Sequence, residues 1–206
     1  MEEWGTSPLA EMGCALATKI SILGRVIRRF DAQMVRLDEE LKEKTDEEIR
    51  TLLRGGFVFT THDELLPDDI LADIDAFLFE SRSAYEIIGK FLAEFFQRIL
   101  GQALSQQEIV ARLEADGIDT EWVKQLRDHR VLFFHNTAPW IALEVARWQP
   151  RRFDLLVLKK TVPDDSNDMI RLKELVDIFR GFEKSLGALH QFIVATIEQV
   201  ESRVQT

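Results

Sequence analysis

The chain has 206 residues, 46% of them hydrophobic and 30% charged, which fits one domain with room for an extension. Its 26 Lys and Arg stand against 36 Asp and Glu, a net charge of −10, which excludes a protein whose whole surface coats nucleic acid. A single cysteine, Cys14, excludes an internal disulfide and any multi-cysteine metal cluster, while only ten Gly and five Pro exclude a low-complexity chain.

The opening Met1-Glu2-Glu3-Trp4-Gly5 is acidic and lacks the apolar core of a signal peptide. No window reaches about 18 uninterrupted apolar residues, so the expectation is a cytoplasmic protein without a membrane span. In chain order, Ser7-Pro8 opens the first long helix, with Ser as cap and Pro where its missing N–H costs nothing. Apolar residues then recur at Leu9, Met12, Leu16, Ile20, Leu23, Ile27, Phe30, Met34, Leu37 and Leu41. These alternating steps of three and four make a heptad-like stripe. An unbroken helix over that stretch would be roughly 50 Å long, with Gly13 and Gly24 as weak points. The stripe is either one face of a bundle helix or a coiled-coil dimerisation arm.

Thr45-Asp46-Glu47-Glu48 is a capping box and starts a short helix that stops at Gly55-Gly56. Phe57-Val58-Phe59-Thr60 reads as a short strand or an apolar loop. Pro67-Asp68-Asp69 opens a second long helix, with acids at the positive end of its dipole, and Gly101 closes it. Ser105-Gln106-Gln107-Glu108 is a second capping box, for a short helix ending near Gly117. Asp119 or Thr120 caps the next helix, which Asn136-Thr137-Ala138-Pro139 interrupts. A helical turn or two is expected over Trp140 to Trp148, then a strand over Phe153 to Leu158. The last long helix is expected from Asp168 to Val200.

Three long helices with one apolar stripe each must bury those stripes. The expected fold is all-α: an antiparallel bundle of four to six helices, with long N- and C-terminal helices and at most one short strand or hairpin. No repeat or linker divides the chain, so one domain over 1–206 is expected, with an N-terminal helix and connector over 1–66 and a core over 68–203.

Common catalytic signatures are absent: there is no Gly-rich phosphate loop, GxSxG elbow, HExxH or CxxC. His62, His129, His135 and His190 are not spaced as a metal set, and the Glu-x-x-His pairs of a di-iron bundle are missing. No metal and no cofactor are expected. The chemistry-rich stretch is Arg127-Asp128-His129-Arg130, followed by His135-Asn136-Thr137 at the helix break. Residues 121–160 hold eight Lys and Arg against four Asp and Glu, a local +4 that leaves −14 for the rest. A basic patch on an acidic chain is a local anion site.

Arg130-x4-His135 near a helix C-terminus resembles the R-x4-6-H signature of the HEPN (higher eukaryotes and prokaryotes nucleotide-binding) superfamily. The helix around Asp75 to Glu86 and the last helix, with Phe179-Arg180-Gly181-Phe182, are similar to the flanking helices of that fold, so the resemblance covers roughly residues 68–203. It implies a HEPN-like bundle acting as a homodimer, with the two motifs meeting across the interface. It further implies a metal-independent endoribonuclease or RNA-binding component of a defence or toxin–antitoxin pair, with an antitoxin or nucleotidyltransferase partner. His135 would be the general acid/base and Arg130 would stabilise phosphate charge, while Arg127, Asp128, His129, Asn136 and Thr137 would contact substrate. The sequence departs from the family at Val131, where a polar residue usually follows the motif Arg.

Two readings compete. One is a non-catalytic helical interaction protein with the Leu9–Leu41 stripe as its oligomer seam. The other is a helix-turn-helix over Glu108 to Phe134, but Trp122, Leu126 and Phe133 fill its second helix with core residues.

Overall fold

A computed structural model describes residues 7–54, 63–102, 104–135, 139–148, 151–159 and 168–204. Among them are six helices and one three-stranded antiparallel sheet, so the chain is mostly helical. The first helix, α1 (Pro8–Glu43), is continuous through Gly13 and Gly24 and begins with Glu11 N–H bonded to the Ser7 carbonyl. The helix α2 (Asp46–Arg54) starts at the expected box: Thr45 N–H donates to Glu48 at 2.6 Å, and Glu48 N–H donates to Thr45 Oγ1 at 3.2 Å. The Gly55-Gly56 stop and the Phe57–Thr60 strand candidate lie outside the described residues.

The long helix α3 (Leu66–Leu100) ends as expected at Gly101, whose φ of 70° takes the left-handed conformation that closes helices. The short helix α4 (Gln106–Ala115) carries both halves of the Ser105–Glu108 box and ends at Gly117, φ 76°. Asp119 Oδ1 accepts the Glu121 N–H at the start of α5 (Glu121–His135).

Three expectations are corrected beyond this point. Trp140 to Trp148 is a strand, β1 (Trp140–Trp148), and not a helical turn. It pairs with β2 (Arg151–Leu158) across a two-residue connection, with Trp148 opposite Arg151 and a bulge between Val145 and Arg147. Met169 opens not a helix but the short strand β3 (Met169–Arg171), which pairs with the other edge of β2. The last helix, α6 (Leu172–Val204), therefore starts later than Asp168. The sheet order β1-β2-β3 exceeds the single strand or hairpin expected. An apolar run such as Ile141-Ala142-Leu143 suits either period. A partner strand close by in sequence decides it, because alternate residues of β1 then exchange pairs of cross-strand bonds with β2.

The chain divides into two compact units. One comprises Met1–Ile22, Glu80–Leu126 and Asp177–Thr206. It is built around Trp122, which meets Tyr85 edge-on at 5.7 Å and Phe182 at 5.8 Å, and donates its indole N–H to Ser185 Oγ at 3.1 Å. Phe96 stacks on Phe192 at 4.8 Å, and the Arg112 guanidinium lies 4.4 Å from the Phe192 centroid.

The other unit comprises Leu23–Phe79 and Arg127–Val176 and holds the sheet. Leu155, Leu156, Val157 and Leu158 are all buried, so β2 is covered on both faces. Ala142, Leu156, Leu158 and Met169 form the cluster on one of them. In the same unit Asp73 of α3 is buried and held by two side chains of α1, the Arg29 guanidinium and the Gln33 amide, the latter at 2.9 Å. No helix among the described residues is long and apolar enough to cross a membrane.

Candidate functional site on helix α5

The motif residues occupy the last turns of α5, which stays helical through His135. A regular helix rises about 1.5 Å and turns about 100° per residue, so the backbone positions of Arg130 and His135 lie roughly 7.5 Å apart along the axis and roughly 140° apart around it. The His135 side chain, and Asn136 and Thr137 altogether, lie outside what the structure describes.

The four residues Arg127 to Arg130 have separate fates. Arg127 and Asp128 are exposed, and Arg127 Nε donates to Asp128 Oδ1 at 3.1 Å. Arg130 is half-buried, with its guanidinium carbon 5.8 Å from the centroid of Phe79 on α3. That is within cation–π range and fixes the direction of the charge. Phe79 keeps 42% of its surface exposed, so the two form a surface feature rather than a core contact.

His129 is directed inward. Its side chain is 9% exposed, and Nε2 lies 2.9 Å from Glu174 Oε2 on α6. Neither ring nitrogen has a hydrogen-bond partner that meets the geometric criteria among the described residues, so proximity carries the contact. The imidazole holds the Glu174 carboxyl below its ordinary value of 4.5, burial opposes that shift, and the Arg171 N–H adds to it. The Arg171 N–H reaches Glu174 Oε1 at 3.3 Å. Because α6 begins at Leu172, Glu174 is its third residue, and this bond is one half of a capping box. Arg171 in turn donates to Glu144 of β1 at 2.5 Å, and that contact raises the guanidinium pKa.

Of the site residues expected from sequence, the structure pairs Arg127 with Asp128, seats Arg130 beside Phe79 and commits His129 to Glu174. Glu174 and Phe79 are the two neighbours sequence reasoning missed. A Glu three residues after a helix cap was the available signal, and reading the helix from Asp168 concealed it. Among the described residues no group of three His, Cys, Asp or Glu is placed to hold a metal ion. Compared with known proteins, the chain matches no family model, no curated protein and no solved structure.

Proposed function

We propose that the chain is a HEPN-like, metal-independent endoribonuclease that acts as a homodimer on single-stranded RNA in the cytoplasm. The observation that carries this reading is the continuity of α5 from Arg130 to His135, which sets a cation and an imidazole in the closing turns of one helix. The mostly helical chain, with long flanking helices α3 and α6, supports the bundle that the family resemblance implies.

The chemistry follows from the residue types. Neutral His135 takes the proton of a ribose 2′-hydroxyl, and the 2′-oxygen attacks the adjacent phosphorus. The P–O5′ bond breaks and the departing oxygen takes a proton from an imidazolium. The products are a 2′,3′-cyclic phosphate and a 5′-hydroxyl. Arg130 meets the charge that builds on the phosphoryl oxygens with two N–H groups in a fixed fork. Arg127, Asp128, Asn136 and Thr137 flank the pair and contact the strand. His129 sets the rotation of α5 from within. The angular divergence of Arg130 and His135 on one helix favours a site completed by a second copy. In its biological setting the protein is one half of a defence or toxin–antitoxin pair, its partner an antitoxin or a nucleotidyltransferase.

The test is incubation of the protein with total RNA in EDTA. Cleavage to 2′,3′-cyclic phosphate ends, lost in Arg130→Ala and His135→Ala, is the expected result. Intact RNA at stoichiometric protein overturns the catalytic reading.

One observation favours a non-catalytic interaction protein instead. In the N-terminal part of α1, Leu9, Met12 and Leu16 are only half-buried and Ile20 is 40% exposed, although all four lie on the heptad stripe. Under that reading Leu16→Glu with Ile20→Glu lowers the mass seen by light scattering. An unchanged mass removes it.

A further inference from the structure

The unit built around Trp122 contains a cavity of about 340 Å³ between the start of α5 and the middle of α6. That volume falls within the range of small-molecule sites. Gly181 and Trp122 both line it, packed closely because residue 181 is glycine. A Cβ there would fall on the Trp122 side chain, 2.8 Å from the Trp122 Cβ and closer still to the ring. Helix α6 therefore meets the indole backbone-first, and the Trp122 side chain occupies the space a side chain at 181 would take.

The walls carry charge. Arg180 and Lys184 are one turn apart on α6 and line the cavity. Both are exposed, and neither has an ion-pair partner among the described residues. The three acids around the cavity are each engaged. Asp119 accepts the Glu121 N–H, Glu121 lies 3.3 Å from Lys124 Nζ, and Asp177 has a polar partner of its own. The Gln125 side-chain oxygen, also in the lining, is buried without a hydrogen-bond partner. Two uncommitted cations and an orphaned acceptor above an aromatic floor describe a site for an anion that also carries apolar and hydrogen-bonding atoms.

We propose that this cavity binds a small organic anion, its phosphate or carboxylate held between Arg180 and Lys184 and its remaining part lying over Gly181 and the edge of Trp122. The site uses none of the residues of the α5 C-terminus, so it stands or falls apart from the ribonuclease reading.

The experiment titrates the full-length protein with benzyl phosphate, with benzoate and with neutral benzyl alcohol, following the Trp122 indole N–H signal by NMR. That signal is assigned from its loss in Trp122→Phe. Saturable shifts with one or both anions and none with the alcohol are expected, and the stronger anion tells phosphate from carboxylate. Arg180→Ala with Lys184→Ala weakens binding at least about tenfold, with the unfolding midpoint held because both side chains are exposed. The charge-conserving Arg180→Lys with Lys184→Arg retains binding. No shift with either anion, or wild-type affinity in the double alanine variant, overturns the proposal.

Discussion

Glu174 joins two elements at once: it lies 2.9 Å from His129 of α5 and accepts the backbone N–H of Arg171 at the start of α6. One carboxylate thus lies against an inward-facing imidazole and caps a helix at its positive end.

The pH dependence of stability follows from that arrangement. The folded-state pKa of Glu174 is held below the ordinary 4.5, so its contribution is fully present above that value and is lost as pH falls through the folded pKa. Glu174→Gln is expected to lower stability at pH 7 by about 1 kcal/mol, small because the carboxyl remains about a third exposed. The gap between variant and wild type should close as pH drops below 4.5. Urea melts at pH 7, 5 and 3.5 check this, and a gap that persists at the lowest pH would count against the linkage.

Gly181 and Gly13 should respond in opposite directions to the same substitution. Alanine at either gains helix propensity worth up to about 1 kcal/mol. At Gly13 a Cβ meets nothing within 4 Å, so Gly13→Ala is expected to stabilise. At Gly181 the Cβ falls on Trp122, which already holds Ser185 and two aromatic neighbours and cannot move aside. Overpacking costs of about 1–3 kcal/mol outweigh the propensity gain there, so Gly181→Ala is expected to destabilise. The urea midpoints of the two variants, moving apart from wild type, are the readout.

Asp73 gives a test of a buried polar group. Replacing it by Ala leaves the half-buried Gln33 amide without this acceptor, while Arg29, largely exposed, regains water. The expected loss is about 2 kcal/mol, and Asp73→Asn, which keeps the shape and one acceptor, recovers roughly half of it. Equal melting temperatures for the alanine variant and wild type would show that the pair contributes nothing net.

Local signals were legible in the sequence, and long-range pairings were not. Thr45-Glu48, Ser105-Glu108, Gly101 and Gly117 marked helix ends correctly because capping and left-handed closure involve residues within one turn. Trp140 to Trp148 and Met169 to Arg171 were misread because their conformation is fixed by β2, a partner no local pattern contains. At the site, Arg127 to Arg130 stood out as a charged run on one helix. Phe79 and Glu174 arrive from helices some 50 residues to either side in sequence, and their roles depend on packing. His129 illustrates the difference: sequence marks it as a polar group beside the motif, whereas the fold turns it inward to Glu174.

Phe79 links packing to the proposed chemistry. A ring at 5.8 Å from the half-buried Arg130 guanidinium contributes about 0.5–1 kcal/mol and, more to the point, restricts where Arg130 can aim. Phe79→Leu removes the π-face but keeps apolar bulk, and because the ring is 42% exposed the melting temperature should shift little. If Arg130 acts on phosphate as proposed, the variant loses roughly three- to tenfold in RNA cleavage rate, the effect of a misaligned charge in the transition state. Phe79→Tyr, which retains the ring, keeps most of the activity. Cleavage rates in EDTA for the three proteins decide the matter: a Leu variant as fast as wild type would mean that Arg130 needs no support from the ring.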